Sequence, residues 1–373
     1  MKNKINIPFY NVERLFRKYS KEIISTVSSV YSSGRVLMGP EIEEFEGKIS
    51  KMCNRKYALA VGSCTDALYF ALLSSGIGKN DEVLVTCFSY IASVTPILMV
   101  GAIPVFIDIE PDYFMMDLSD VEAKITGKTK AIIAVNLFGQ TLPIDRLEEI
   151  AARNGLVLIE DAAQSLGSKY EGNPAGSMGL TSCLSFDPVK IIGAFGAGGV
   201  LLTDDETIYR KVKKLRYHGK NMESGTFEIL GYNSRIATSQ AALISMQLDL
   251  LDDWIKKRNE IAAAYDRELS VINDIEIPKS RKGDSHIYHK YVIRVENRDD
   301  LRKYLADNGV KTMVHYSEAL FEYPLFNNYK YHAENLTVVH NVKNKVISLP
   351  IYPELENEEI QYICNVIKKY KAT

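Results

Sequence analysis

Seven short apolar runs alternate with helix-like stretches between residues 57 and 202, and this alternation constrains the fold more than any other feature. The runs are rich in Val and Ile and apolar on both faces, which is typical of strands buried between two helix layers. They lie at residues 57–61, 83–85, 105–107, 131–135, 157–159, 183–186 and 200–202. Because helices separate the runs, we predict an α/β fold whose seven strands form a mainly parallel sheet between helices.

The last third of the chain has a different pattern, which predicts a smaller α+β domain. A single long helix is predicted over residues 238–269, followed by a strand at 291–295, a helix at 299–308 closed by Gly309, and a terminal helix from residue 357. We therefore expect a large domain at residues 1–250, which includes an N-terminal arm, and a small domain at residues 251–373. The apolar stripe of the long helix is interpreted as core, and it consists of Leu243, Met246, Leu250, Trp254, Ile261 and Tyr265.

Composition and charge exclude several classes of function. The formal net charge of the 373 residues is only -2, so neither nucleic acid nor a membrane surface is an expected partner. No apolar window is long enough to span a bilayer, and residues 1–8 lack the apolar core of a signal peptide. The five cysteines form no C-x-x-C pair, which favours reduced thiols in the cytoplasm. His286 and His289 have no accompanying ligands, so we predict no metal site.

Two acids, Glu160 and Asp161, directly follow the apolar run at residues 157–159. Ligands of open parallel sheets bind outside the carboxyl ends of the strands, so a carboxylate at this place faces the expected site. Such an acid could hold a metal ion, a ribose hydroxyl or a protonated ring nitrogen. A purely structural or capping role is an equally good interpretation of the acid by itself.

Lys190 follows the run at 183–186 and a turn that contains Pro188, and a glycine-rich segment comes after it. A lone lysine is usually a solvated surface residue. A lysine that forms a Schiff base needs a pKa lowered by burial, and a partner acid elsewhere to protonate the ring of the cofactor. Lys190 and Asp161 follow neighbouring strands along the chain and could share this work.

A turn of small residues, Gly62-Ser63-Cys64-Thr65, connects the first run to a helix-like stretch. The N–H groups and dipole of a helix N-terminus attract anions, so this turn could bind a phosphate group. A helix cap made by Ser63 or Thr65 is the alternative, and both roles can hold together. The turn matches neither the dinucleotide glycine pattern nor a Walker loop, which disfavours ATP and an NAD-dependent dehydrogenase.

A series of motifs in one order carries a resemblance over nearly the whole chain. The chain resembles the DegT/DnrJ/EryC1/StrS family of sugar aminotransferases, which are fold type I pyridoxal-phosphate enzymes. The resemblance implies an aspartate-aminotransferase-like fold. The matching motifs are Ser33-Gly34, Gly39-Pro40-Glu41, Phe45-Glu46, Gly101-Ala102-Ile103-Pro104-Val105-Phe106, Asn136-Leu137-Phe138-Gly139-Gln140, Glu160-Asp161-Ala162-Ala163-Gln164, Ser185-Phe186-x-Pro188-x-Lys190, Gly198-Gly199 and Gly231-Tyr232-Asn233-Ser234-Arg235.

The resemblance assigns roles around the ring of pyridoxal 5′-phosphate. Lys190 is implied to be the Schiff-base lysine, which later moves a proton at the substrate carbon. Asp161 is implied to pair with the pyridinium nitrogen, and Gln164 to contact the ring hydroxyl. Tyr90 matches the aromatic residue that stacks on the ring, although a core aromatic at a strand end remains an alternative.

For the phosphate, the resemblance implies Cys64, Thr65 and Ser185 as binding residues. Asn233 is implied to reach the phosphate in the neighbouring subunit, so a homodimer with shared active sites is expected. Cys64 departs from the glycine or alanine that is frequent in the family. Further departures, at Asp187, Val189 and Ile191, leave the substrate pocket near Lys190 unassigned.

The implied substrates are glutamate and a nucleotide-linked keto-6-deoxyhexose. The favoured acceptor is dTDP-4-keto-6-deoxyglucose, and amination of a 3-keto isomer is close behind. Arg235, His315 and Tyr316 are candidate sugar-site residues, with a structural salt bridge (Arg235) or packing (His315) as alternatives. Relatives that deoxygenate sugars carry His in place of Lys190, so a dehydratase is less favoured, as is a non-catalytic sugar-binding regulator. Relatives typically make amino sugars for antibiotics or surface polysaccharides such as the O-antigen of lipopolysaccharide.

Overall fold

A computed structural model of the chain describes residues 5–372; residues 1–4, the start of the segment examined for a signal peptide, and Thr373 lie outside it. The strands are β1 (Tyr57–Val61), β2 (Glu82–Thr86), β3 (Ile103–Ile107), β4 (Thr129–Val135), β5 (Val157–Asp161), β6 (Lys169–Tyr170), β7 (Asn173–Pro174), β8 (Thr181–Ser185), β9 (Gly199–Thr203), β10 (Asp284–Ser285), β11 (Tyr291–Arg294) and β12 (Val346–Leu349).

The α-helices are α1 (Val12–Lys18), α2 (Ser20–Ser33), α3 (Pro40–Met52), α4 (Cys64–Ser74), α5 (Thr95–Met99), α6 (Leu118–Ala123), α7 (Ile144–Arg153), α8 (Glu206–Leu215), α9 (Thr238–Leu248), α10 (Leu251–Leu269), α11 (Arg298–Asp307), α12 (Thr337–Val342) and α13 (Asn357–Ala372). Short 3₁₀ helices lie at Ile91–Ser93, Leu320–Glu322 and Pro324–Asn328. Within residues 5–372, no helix has the length and apolar character that crossing a membrane requires.

One large sheet contains seven strands in the order β1-β9-β8-β5-β4-β2-β3. Strand β9 is antiparallel to both of its neighbours, and the other four neighbouring pairs are parallel. All seven apolar runs lie in this sheet. The run at 183–186 corresponds to β8, which ends at Ser185 rather than at residue 186. The prediction of a mainly parallel seven-stranded sheet is therefore confirmed.

The central strands are apolar on both faces because each face packs against its own hydrophobic cluster. In β4, Ile133 and Val135 belong to the cluster that includes α4, whereas Ile132 and Ala134 belong to the cluster that includes α7. Successive side chains of a strand point to opposite faces, so both layers of helices contribute to burying the same strand. Because both faces of the central strands are buried, the polar residues that could face a ligand lie at the strand ends.

The C-terminal part of the chain has its own hydrophobic cluster around β11 and β12, which pair antiparallel. Helices α10, α11 and α13 cover this pair, and Gly309 follows α11 with φ +80°, as the sequence suggests. Ile7 from the N-terminal segment also packs here, and its N–H donates to the carbonyl of Gly309 at 2.8 Å. The domain boundary at residue 250 stays a prediction.

The prediction of one long helix over residues 238–269 is wrong. The helix is interrupted at Asp249 and Leu250, where α9 ends and α10 begins. Helix α9 packs on α2 and α3, whereas the buried face of α10 runs from Trp254 beside the large sheet to Tyr265 in the C-terminal cluster. The interruption therefore separates the segment that packs on α2 and α3 from the helix that connects the two cores.

Candidate active site

A cavity of about 550 Å³ opens at the carboxyl ends of the parallel strands. Val135, Asp161 and Ser185, at or near the ends of β4, β5 and β8, line it. Because these strands are parallel, their carboxyl ends meet at one edge of the sheet. The residues predicted from the sequence that line the cavity are Cys64, Thr65, Tyr90, Asp161, Gln164, Ser185, Lys190, His315 and Tyr316.

Asp161 is 4% exposed, and burial raises the pKa of its carboxyl group. The Ser93 hydroxyl donates to one carboxylate oxygen at 2.7 Å, and the Ala163 N–H donates to the other at 3.1 Å. Both bonds, together with the nearby charge of Lys190, oppose the effect of burial. The carboxylate is therefore held in one orientation at the end of β5.

Lys190 is positioned by the turn that follows β8. The Val189 N–H donates to the Asp187 carboxylate at 3.1 Å, and the Lys190 N–H donates to the Asp187 carbonyl at 2.9 Å. Burial lowers the pKa of the Lys190 amine, and the nearby Cys64 and Asp161 oppose this shift. A lysine with a lowered pKa has a larger neutral, nucleophilic fraction at neutral pH.

The turn before α4 combines both interpretations that the sequence leaves open. Ser63 caps the helix, because its hydroxyl accepts the N–H of Asp66 at 3.1 Å. The N–H groups of Cys64 and Thr65 open the first turn, and both residues line the cavity. Gly199 lies against this turn so closely that a Cβ atom there would lie 2.3 Å from the Ser63 carbonyl carbon. The glycine lets β9 approach the helix N-terminus.

Gln164 connects two elements of the wall. Its side-chain oxygen accepts the Phe138 N–H at 3.1 Å, and its amide donates to the Tyr316 hydroxyl at 3.1 Å. Beside it, His315 is hydrogen-bonded to the Ser348 hydroxyl at 2.8 Å, and burial lowers the pKa of His315 to about 3. Tyr90 is 59% exposed at the rim, which removes the alternative of a core aromatic.

The structure does not bring Asn233 and Arg235 into the cavity of their own chain. The Arg235 guanidinium donates to the Asn233 side-chain oxygen at 2.9 and 3.2 Å and stacks over the Tyr217 ring at 4.6 Å. Among the acids of residues 5–372, none forms the structural salt bridge that the sequence left open for Arg235.

Five further polar residues line the cavity and were not predicted as site residues from the sequence: Ser89, Ser93, His289, Lys290 and Tyr323. Ser93 ends a 3₁₀ turn after β2, and no local pattern connects it with Asp161. His289 and Lys290 directly precede β11, and a polar pair before an apolar run is the sequence pattern from which they could have been predicted as site residues. In the described part of the chain, no group of His, Cys, Asp or Glu is arranged to hold a metal ion.

These groups fit pyridoxal 5′-phosphate, the cofactor implied by the resemblance. Lys190 and Asp161 supply an amine and a buried carboxylate on one cavity, and α4 directs its N-terminus at the same space. A Cβ atom at residue 199 would lie 2.4 Å from the Cys64 nitrogen, so the glycine keeps a side chain away from the start of α4, where a phosphate could bind.

Comparisons with known proteins agree with this arrangement. The chain is 36% identical to a pleiotropic regulatory protein of Geobacillus stearothermophilus, over 98% of this chain and 99% of the relative. It is 33% identical to the dTDP-3-amino-3,4,6-trideoxy-alpha-D-glucose transaminase of Streptomyces venezuelae, over 98% and 96%. Other relatives are named for UDP- and GDP-linked sugars.

Solved structures show the same fold. A DegT DnrJ EryC1 StrS aminotransferase from Brucella abortus superposes with a TM-score of 0.94 at 31% identity, over 99% of this chain and 100% of that one. NtdA from Bacillus subtilis, solved with bound cofactor PMP, superposes with a TM-score of 0.91 at 29% identity, over 100% and 87%. The family model for the DegT/DnrJ/EryC1/StrS aminotransferases matches residues 17–368. The chain belongs to the DegT/DnrJ/EryC1/StrS aminotransferase family.

Proposed function

We propose that the chain transfers the amino group of glutamate to the ketone of a nucleotide-linked keto-6-deoxyhexose. The chain is an aminotransferase that uses pyridoxal 5′-phosphate. One observation carries the proposal: the partly buried amine of Lys190 and the buried carboxylate of Asp161 line the same cavity. When bound, the cofactor supplies an electron sink for proton movements at the carbon that carries the nitrogen.

Each side chain has a separate task in this proposal. Lys190 holds the cofactor covalently and moves a proton at the reacting carbon, for which its lowered pKa suits it. Asp161, oriented by Ser93, holds a proton on the ring nitrogen. Cys64, Thr65 and Ser185 bind the phosphate.

The neutral side chains of the opposite wall would contact the sugar. His315 has its pKa lowered to about 3, so it is neutral at physiological pH and offers hydrogen bonds rather than charge. Burial raises the pKa of Tyr316, which keeps its hydroxyl protonated. Tyr90 lies at the rim, where it can stack on a ring.

The first candidate acceptor is dTDP-4-keto-6-deoxyglucose, aminated at C4. A 3-keto sugar is the second candidate, and the names of the relatives favour it specifically. Besides the Streptomyces venezuelae enzyme, these relatives include a dTDP-3-amino-3,6-dideoxy-alpha-D-galactopyranose transaminase and a UDP-2-acetamido-2-deoxy-3-oxo-D-glucuronate aminotransferase. The product would enter the synthesis of an amino sugar, with O-antigen assembly as one destination.

The test is a panel of dTDP-, UDP- and GDP-linked 3-keto and 4-keto sugars, incubated with the purified holoenzyme and glutamate. The expected product has gained nitrogen, and NMR gives the carbon that carries it. Loss of oxygen without nitrogen would instead identify a dehydratase, and binding without reaction a regulator. The Lys190→Ala variant is the control, and it should lose both the visible absorbance and the reaction.

We propose further that the active unit is a homodimer in the cytoplasm. Asn233 is exposed, and a nearby loop exposes Phe227 and Leu230 at 69% and 84%, a surface that a second subunit would cover. All five cysteines are buried and unpaired, which suits a reducing compartment.

A mixing experiment tests the shared site. Inactive Asn233→Ala and Lys190→Ala proteins are dissociated together and reassociated, and light scattering gives the mass of the particles. If Asn233 acts across the interface, each mixed dimer regains one complete site and activity returns. A monomeric mass, or no recovery in proven mixed dimers, would contradict the proposal.

A further inference from the structure

Lys290 is a buried cation that the reaction described above does not use. It precedes β11 and lines the cavity together with Lys190 and His289, and only 9% of the residue is exposed. Its ammonium lies 5.2 Å from the centre of the Phe9 ring. No carboxylate within residues 5–372 forms an ion pair with it. Buried lysines are almost always paired, because an unpaired charge is costly to remove from water.

The charges around Lys290 increase this cost. Arg258, from α10, and Lys190 both repel the ammonium, and Asp187 is the acid that opposes them. Arg258 itself donates to the carbonyls of Tyr288 and Ile351 at 3.1 and 2.9 Å, and Glu354 is the acid whose charge partly opposes that of Arg258. Burial, followed by Lys190 and Arg258, lowers the pKa of Lys290 to about 7. Facing it, His315 is uncharged, because burial and the two lysines lower its pKa to about 3.

Lys290 therefore offers the cavity a flexible ammonium that no carboxylate of the described residues pairs with, and two neighbouring cations raise the cost of its charge. We propose that Lys290 binds a carboxylate of the amino donor. The inference rests on the proposed function, because it takes glutamate as the donor. The anionic groups of the two substrates differ in their distance from the reacting atoms. The α-carboxylate of glutamate is bonded to the reacting carbon. In the nucleotide-linked keto sugar, by contrast, the hexose ring separates the diphosphate from the ketone.

The position of Lys290 agrees with the nearer anion. Lys190, which acts at the reacting carbon, lines the same cavity as Lys290 and lies close enough for its charge to lower the pKa of Lys290. The Phe9 ring covers the ammonium on another side, so the cavity is where an anion can approach it. A bound carboxylate would remove the repulsion among the cations and keep Lys290 protonated.

The first experiment titrates the holoenzyme with glutamate and follows the loss of its visible absorbance. The Lys290→Met variant should need about 10- to 100-fold more glutamate for half-saturation, as expected for the loss of a charged hydrogen bond. Lys290→Arg should restore most of the affinity, and Lys213→Met, on the exposed face of α8, is the matched control. The half-saturating concentration of the keto sugar should stay unchanged in the second half-reaction.

The second experiment needs no reaction. Glutarate, a dicarboxylate without an amino group, is titrated into the holoenzyme in buffers of different ionisation enthalpy. Burial lowers the pKa of Lys290, so binding of glutarate at pH 8 should be accompanied by proton uptake in the wild type, and Lys290→Met should lose that uptake. The nucleotide dTDP is titrated in parallel as the phosphate probe.

The outcomes separate the two proposals. If glutamate leaves the wild-type absorbance unchanged, the proposed function fails, and the glutarate titration still decides the role of Lys290. Equal glutarate affinity in wild type and Lys290→Met, or no glutarate binding at all, would overturn the inference. A loss of affinity for dTDP alone would also overturn it, because the cation would then serve the nucleotide.

Discussion

Replacing Lys290 by methionine should make the folded protein more stable, although the same change should weaken donor binding. The wild-type protein buries a cation among two other cations, whereas methionine has a similar length and no charge. The methionine side chain can fill the space that the aliphatic part of the lysine side chain occupies. The change therefore removes mainly the cost of the buried charge.

The magnitude follows from the pKa of Lys290, which is about 7 in the folded chain and about 10.4 in the unfolded chain. At pH 7 this difference corresponds to roughly 4 kcal/mol of lost stability, and at pH 9 to roughly 2 kcal/mol. The sign is that of a lysine with a depressed pKa: between pH 7 and about 10.4 the unfolded chain binds more protons, so stability rises with pH. The advantage of Lys290→Met should therefore shrink steadily over this window.

Urea unfolding of both proteins in their cofactor-free form at pH 7 and pH 9, without dicarboxylates or phosphate, measures this advantage, because Lys190 is then a free amine. Added glutarate should narrow the difference at pH 7, because it stabilises only the protein that binds it. Lys213→Met controls for the general effect of losing a lysine. A wild-type protein as stable as Lys290→Met at pH 7, or a difference independent of pH, would refute the charge argument.

Three other changes test the site. Ser93→Ala should lower kcat/KM about tenfold, since a hydrogen bond to a charged group is lost. It should also move the acidic limb of the pH profile of kcat/KM to higher pH, because the Ser93 hydroxyl lowers the pKa of Asp161. Gly199→Ala should raise the dissociation constant of the cofactor, measured by dialysis and reconstitution, because its Cβ would collide with the backbone of Ser63. Glu160→Ala should cost about 3 kcal/mol or more in urea unfolding, because this buried carboxylate accepts N–H groups at 3.0 and 3.1 Å whose partners would be lost. An unchanged pH profile, cofactor affinity or unfolding midpoint, respectively, would contradict each expectation.

The sequence by itself determined the sheet and one edge of the site. Seven runs apolar on both faces can be buried only between two helix layers, and their alternation with helices makes most of them parallel. Parallel strands end at one edge, so Asp161, Ser185 and Lys190 had to lie near one another. Local capping chemistry similarly left Ser63 or Thr65 as the candidate helix cap, and the structure has the cap at Ser63.

Only the tertiary structure decided which distant residues complete the cavity. The helical spacing of apolar residues predicts a buried face but not which neighbouring elements bury it, so the interruption between α9 and α10 was missed. Ser93 reaches Asp161, and Lys290 reaches the space beside Lys190, through packing of segments far apart in the chain. The cost of the charge on Lys290 comes from those neighbours and from the exclusion of water, neither of which has a local sequence pattern.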